Sequence, residues 1–321
     1  MLNYRTVHVE LSSKCVLKCP RCPRTELNLD HLNQELTLAD FQSGFPIEVL
    51  KQIEHFIFCG DIGDPIYATE FLEIVDYIKQ NSLTRIRIVT NGSYKKADWW
   101  QRLGNMLNYN DQVTFSIDGW DDKSNNQYRV NSNFDSIVLG IKTLRASSDC
   151  TIQWSAIYFA FNQDSIDIMR SMAKSLGCNR FKKVKSSKFN GRYLTDGIDL
   201  LKPGNELVAD TLIYETTVEI LNPNKYMPIA SIVPAQPHSW AKCLNYEKDL
   251  FIGIDGIVQP CPWFNNGYQN NNFIKEYRDR LSIHNRSFFE IINDTELWQK
   301  LVDSFDHNPL EICKLKCKND Q

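Results

Sequence analysis

The chain has 321 residues, 42% of them apolar and 23% charged, with a net charge of −3. That length is ample for a buried core in one or two domains, and the near-neutral balance lacks the basic footprint of a nucleic-acid binder. No run approaches eighteen apolar residues, so no membrane span is expected, and Met1–Arg5 lacks the apolar core of a signal peptide.

Ten cysteines in a chain without an export signal read as metal ligands in a reducing cytoplasm rather than as disulfides. In chain order, alternation predicts a strand over Thr6–Leu11 and an amphipathic helix over Leu36–Ile53, capped by Thr37 and interrupted at Gly44 and Pro46. Strands follow at His55–Cys59, Arg85–Thr90, Gln112–Ile117, Thr151–Phe159 and Arg180–Val184. Between them lie helical patterns over Thr69–Gln80, Ala97–Leu107, Phe134–Leu144 and Asp164–Leu176, the last closed by Gly177. Repeated strand-then-helix units demand parallel strands with right-handed crossovers, a pattern that a doubly wound sheet and a barrel both satisfy. Leu207–Leu221 is a further helix candidate. Pro223, Pro228, Pro234 and Pro237 then mark a linker, which places a boundary between residues 205 and 242.

Chemistry concentrates in the cysteines. Cys15, Cys19 and Cys22 occupy one loop directly after the first strand, so one compact soft metal centre suits them. Zinc would want a fourth ligand nearby, and the next histidine is His31; three thiolates suit a four-iron cluster with one iron left open. Toward the other end stand Cys243, Cys261, Cys313 and Cys317. Leu250–Val258 reads as a hairpin around Asp255-Gly256, Phe288–Phe305 as a helix, and Cys313-x3-Cys317 offers two ligands within one turn. Four thiolates close a four-iron cluster or an all-cysteine zinc site. Cys59, Cys150 and Cys178 read as small buried hydrophobes. In the acid-free run from Cys178 to Arg192, which includes Lys188, alternate strand residues would point into a barrel mouth. Lys183 and Lys185 are the candidates there for a substrate carboxylate or phosphate.

Cys-x3-Cys-x2-Cys near the N-terminus resembles the signature of the radical S-adenosylmethionine (SAM) enzymes. The resemblance implies a [4Fe-4S] cluster whose open iron chelates SAM, reductive cleavage to methionine and a 5′-deoxyadenosyl radical, and hydrogen abstraction from a substrate. It also implies a flavodoxin or ferredoxin as external electron donor, and a partial (β/α)6 TIM-like barrel of α/β class over residues 1–205. Gly60-Asp61-Ile62-Gly63-Asp64-Pro65 resembles the family's Gly-Gly-Glu-Pro element, which receives the SAM amino group. Here the acid is Asp64, and an extra residue separates Gly60 from Gly63. Asn91 in Thr90-Asn91-Gly92, Ser116 and Asp118 in Ser116-Ile117-Asp118-Gly119, and Arg129 match soft family positions around SAM. Arg21 stands where the family usually has an aromatic residue.

Cys243-x12-Gly256-x4-Cys261 resembles the start of the SPASM and twitch extensions. Only two more cysteines follow, which suits the twitch form: a small hairpin-plus-helix domain over residues 243–321 holding one auxiliary [4Fe-4S] cluster, after a helix and linker over 206–242. The layout is similar to that of the twitch dehydrogenases that oxidise an aminocyclitol hydroxyl in butirosin biosynthesis. It implies net oxidation of a small molecule or a peptide. The rival readings are a non-catalytic zinc protein that docks nucleic acid or a partner, and SAM cleavage without a second substrate.

Overall fold

The computed structural model describes residues 5–185, 201–203, 210–214, 242–243, 249–264, 272–307, 309–310, 313–314 and 317. Six strands carry the alternation expected of them: β1 (Thr6–Val9), β2 (His55–Phe58), β3 (Arg85–Thr90), β4 (Gln112–Ser116), β5 (Thr151–Ile157) and β6 (Arg180–Val184). Each pairs in parallel with the next, in sequence order. Helices Phe71–Asn81, Ala97–Met106, Phe134–Ser147 and Ile166–Ser175 connect successive strands.

One face of every strand is apolar. Phe56, Phe58, Ile86, Ile88, Phe115, Trp154 and Phe181 are fully buried there, in one core with Trp100 from the helical layer. Each such side chain contributes roughly 1.5–3 kcal/mol. The opposite face is mostly polar, which is how a partial (β/α)6 barrel presents its interior. The helical pattern after residue 36 divides as its prolines require. Thr37 and Asp40 form a capping box, helix Leu38–Gly44 ends before Pro46, and Ile47–Leu50 makes a second short helix.

Both edges of the sheet depart from expectation. β7 (Asp210–Ile213) runs antiparallel to β6, inside the stretch whose periodicity predicts a helix. Pairing with the open edge of β6 overrides local period here. Residues 207–209 and 215–221 of that helix, the four prolines, Lys188 and Arg192 lie outside the described residues. At the other edge, β8 (Leu250–Ile252) is parallel to β1, and β9 (Val258–Gln259) returns antiparallel to β8. The C-terminal hairpin therefore extends the barrel sheet itself.

The single helix expected over Phe288–Phe305 is two, Phe288–Ile292 and Thr295–His307. Asp294 sits at the break and accepts from Arg280, Arg286 and the Leu297 N–H. Helix Asn272–Leu281, which periodicity did not reveal, precedes them. Among the described residues no helix is long and apolar enough to cross a membrane.

Candidate active site

The cysteine loop leaves the C-terminal end of β1 and is braced on several sides. Ser13 N–H donates to the Gln34 carbonyl (3.0 Å), and Lys14 pairs with Glu35. Cys22 is the N-cap of helix Pro23–Glu26, where Pro23 fits the first turn because its missing N–H costs nothing there. From that helix the buried Arg24 reaches back to the carbonyls of Ser13, Leu29 and Asp30. The next layer comes from residues 130–131: Lys18 N–H donates to the Val130 carbonyl (3.0 Å), and Asn131 Nδ2 to Val16 (2.7 Å).

The organising acid beneath this loop escaped the sequence reading. Glu10 is fully buried, and its Oε1 accepts the backbone N–H groups of Asp61, Ile62 and Gly63 at 2.8, 2.8 and 3.2 Å. Burial raises its carboxyl to about 8, with Asp61 adding to the effect and the three N–H bonds opposing it. The only sequence signal was an acid at an inward position of β1. Gly60 and Gly63, expected to let a ligand approach, also permit a close approach within the chain. A Cβ on Gly63 would lie 1.7 Å from the Ser12 carbonyl oxygen, and one on Gly60 would lie 2.0 Å from that of Gly63. Asp64 N–H then donates to the Lys14 carbonyl at 2.9 Å. The β2 loop is thus pressed against the cysteine loop.

Asp64 caps the turn Pro65–Tyr67 through Oδ1, which accepts from Ile66 N–H at 3.3 Å. Its Oδ2 takes Thr90 Oγ1, Asn91 N–H and Asn91 Nδ2. Oδ2 is thus saturated by the protein, while Oδ1, with its one bond from Ile66, keeps acceptor capacity. Burial lifts its pKa to about 6. Asn91 Nδ2 also faces Cys15 Sγ at 3.7 Å. Asn91 needs Gly92 after it, whose φ of +73° is a left-handed conformation that a Cβ would strain.

Ser116 closes β4, half-buried beside Ser155 of β5. Asp118 is fully buried and joins strand ends. Its carboxylate accepts from Ile157 N–H (2.7 Å) and Arg129 Nε (2.6 Å), and its carbonyl from Asn162 Nδ2 (2.7 Å). Arg129, expected to pair with a ligand carboxylate, gives its Nε to Asp118, and its charge favours the Cys19 thiolate. Arg21 is buried beside Cys22. Leu17, Cys19, Tyr128 and Phe159 form a small separate core, the last two rings 4.3 Å apart, with Cys15 and Cys22 packed on it.

Burial raises the Cys15 and Cys19 thiols, Asp64 adding to the effect at Cys15, and the three thiols interact electrostatically. The C-terminal thiols behave alike. Burial pushes up Cys243, which interacts with Cys261, Cys313 and Cys317, and pushes Cys313 up to about 12. Within each predicted set, described thiols lie within electrostatic reach of one another. Among the described residues no three His, Cys, Asp or Glu side chains form a group set to hold a single metal ion. A [4Fe-4S] cluster suits the N-terminal loop: three thiols on one loop, a donor from Asn91 at the Cys15 sulfur, the Arg129 charge acting on Cys19, and an apolar wall.

Lys183 lies away from this site. It faces the helical layer and pairs with Asp210 at 3.3 Å, alongside Arg170. The inward phase of β6 is Arg180 and Lys182, so Lys183 is no lining residue, and Lys185 lies just past the strand end, exposed.

The chain thus forms a parallel partial barrel that carries three thiols on the loop after its first strand. Residues 9–167 match the family model of the Radical SAM superfamily. No curated protein matches the chain. Among solved structures, Streptococcus suis SuiB bound to precursor peptide SuiA is similar with a TM-score of 0.59 and 14% identity, over 84% of this chain and 62% of that one. SuiB bound to S-adenosylmethionine gives 0.56 and 14%, over 89% and 68%. Native anSMEcpe with bound AdoMet and Cp18Cys peptide gives 0.57 and 15%, over 92% and 82%. At these identities the likeness is one of fold, and this chain spans 62% to 82% of those longer ones.

Proposed function

We propose that this protein is a radical SAM enzyme that abstracts a hydrogen atom from its substrate and completes a net oxidation with help from a second cluster on Cys243, Cys261, Cys313 and Cys317. The observation that carries the reading is the attachment of β8 to β1. Glu10 N–H donates to the Ile252 carbonyl at 3.0 Å, so the hairpin leading to Cys261 is stitched onto the strand that delivers Cys15, Cys19 and Cys22. Bound on the two thiol sets, [4Fe-4S] clusters would supply an electron to split SAM into methionine and a 5′-deoxyadenosyl radical, and an acceptor for the electron left on the substrate.

The chain's own residues prepare both sites. Asn91 aims a donor at the Cys15 sulfur and the Arg129 charge acts on Cys19, which favours the more reduced, more negative form of a cluster. Leu17, Tyr128 and Phe159 keep water from a reactive intermediate. The buried thiols give up protons as metal loads, so loading is favoured by higher pH. A flavodoxin or ferredoxin of the cytoplasm would serve as electron donor. The substrate is a small molecule, as the twitch-like cysteine spacing favours. A peptide is the second reading, supported by the peptides held in the SuiB and anSMEcpe structures.

Anaerobic purification should yield about eight irons per chain, two clusters of four, and 5′-deoxyadenosine on reduction with SAM. Cys19→Ala should abolish 5′-deoxyadenosine. An iron-poor protein that holds zinc instead would defeat this reading and favour a structural zinc protein.

A further inference from the structure

The inner face of the barrel gathers cations on β2 to β6. On β2 to β6, the positions facing away from the helical layer include four cations, Arg85, Arg87, Arg180 and Lys182, and no carboxylate. The burial patterns fix this phase: Ile86, Ile88 and Phe181 are buried toward the helices, while Arg87 and Lys182 are exposed on the other side. Arg180 Nη1 reaches Gln112 Oε1 at 3.5 Å across the intervening β5, confirming that β4 and β6 share this face. On the helical side, by contrast, cations are matched by acids: Lys79 with Asp111, Arg170 and Lys183 with Asp210. Among the described residues Arg87 and Lys182 have no ion pair and no hydrogen bond.

Arg87 is level with Ile57 of β2, two residues before Cys59. It lies within electrostatic reach of Cys59, and Cys59 is within reach of Asp64 and Glu10 beneath the cysteine loop. Strands β3 and β6 are three spacings apart, about 14 Å along the sheet. An arginine and a lysine on an inward-curving face span that distance toward a ligand between them. A guanidinium offers a bidentate fork to an oxyanion, and a neighbouring ammonium adds a point charge.

We propose that the substrate carries an oxyanion, a carboxylate or a phosphate, held on the inner face by Arg87 and Lys182 with Arg180 beside them. This rests on the radical SAM reading and narrows its substrate class. Holding the anion on the rigid sheet leaves the rest of the substrate free to extend toward the loops at the strand ends, where hydrogen abstraction would take place.

Isothermal titration of the reconstituted protein at low salt tests this, with inorganic pyrophosphate and citrate as probes. Saturable binding that weakens with added salt is expected, and the tighter probe tells phosphate from carboxylate. Arg87→Gln with Lys182→Gln should weaken it at least about tenfold, with each single variant intermediate and Lys183→Gln unchanged. If the wild type binds neither probe, or the double variant binds both as the wild type does while keeping its circular dichroism and melting curve, the proposal is overturned. Iron content and 5′-deoxyadenosine release by the wild type report separately on the radical SAM reading, so the two can fail independently.

Discussion

Asp64 takes Asn91 twice: Oδ2 accepts its backbone N–H at 2.7 Å and its side-chain Nδ2 at 2.6 Å. The same Nδ2 faces Cys15 Sγ at 3.7 Å, so the acid after β2 fixes an amide after β3 against the first cysteine of the loop after β1. Three strand ends are joined at one point. Asp64→Asn keeps the shape and can place an N–H against these donors, leaving buried donors unsatisfied at a cost of about 1–3 kcal/mol. Iron content should be little changed while KM for SAM rises about tenfold or more, reflecting a displaced Asn91. Wild-type kinetics in this variant would remove Asp64 from the positioning network.

Glu10 makes a pH prediction. Its buried carboxyl titrates near 8 against an ordinary 4.5. Because the folded value is raised, the carboxyl's contribution to stability is complete below about 4.5 and is lost as pH rises through about 8. Glu10→Gln cannot ionise, and its amide oxygen still accepts from Asp61, Ile62 and Gly63. The melting temperature of the metal-free variant, relative to wild type, should therefore rise by a few degrees across that window. Glu10→Ala leaves three N–H groups without their acceptor and should be destabilised at every pH, by roughly 3 kcal/mol. Parallel wild-type and Gln curves would mean that Glu10 stays ionised throughout, the N–H bonds outweighing burial.

Gly63 tests the contact between the two loops. A Cβ there would sit 1.7 Å from the Ser12 carbonyl oxygen, and backbone cannot yield as a flexible side chain would. Gly63→Ala should force the β2 loop off the cysteine loop and break the Asp64 N–H to Lys14 bond. We expect impaired iron incorporation and a loss of several kcal/mol in stability. A soluble Gly63→Ala protein with full iron content would show that the loops tolerate separation.

Much of this was legible before any coordinates. The strands announced themselves because β3 alternates apolar and polar residues and β2 is a short apolar run between helical patterns. What stayed hidden depended on distance in the chain. Glu10 acts on residues 61–63, so nothing near it in sequence reveals its partners. The strand Asp210–Ile213 exists because β6 offers an open edge, against the local period. The direction of Lys183 was a phase error of one residue: Phe181 is buried toward the helices, and that sends Lys183 the same way.

The C-terminal thiols give the last prediction. Cys243, Cys261 and Cys317 are buried, whereas Cys313 is half-buried, so Cys313 can be altered with least harm to packing. In Cys313→Ser one ligand of the auxiliary set becomes a hydroxyl, a poorer partner for iron than a thiolate. Iron should fall from about eight toward about four per chain, while SAM cleavage by the Cys15–Cys22 site continues. If that second set accepts the substrate's electron, 5′-deoxyadenosine should still form while oxidised product does not. Product at the wild-type rate in an iron-depleted variant would restrict Cys313 and its neighbours to holding the hairpin of β8 and β9 together.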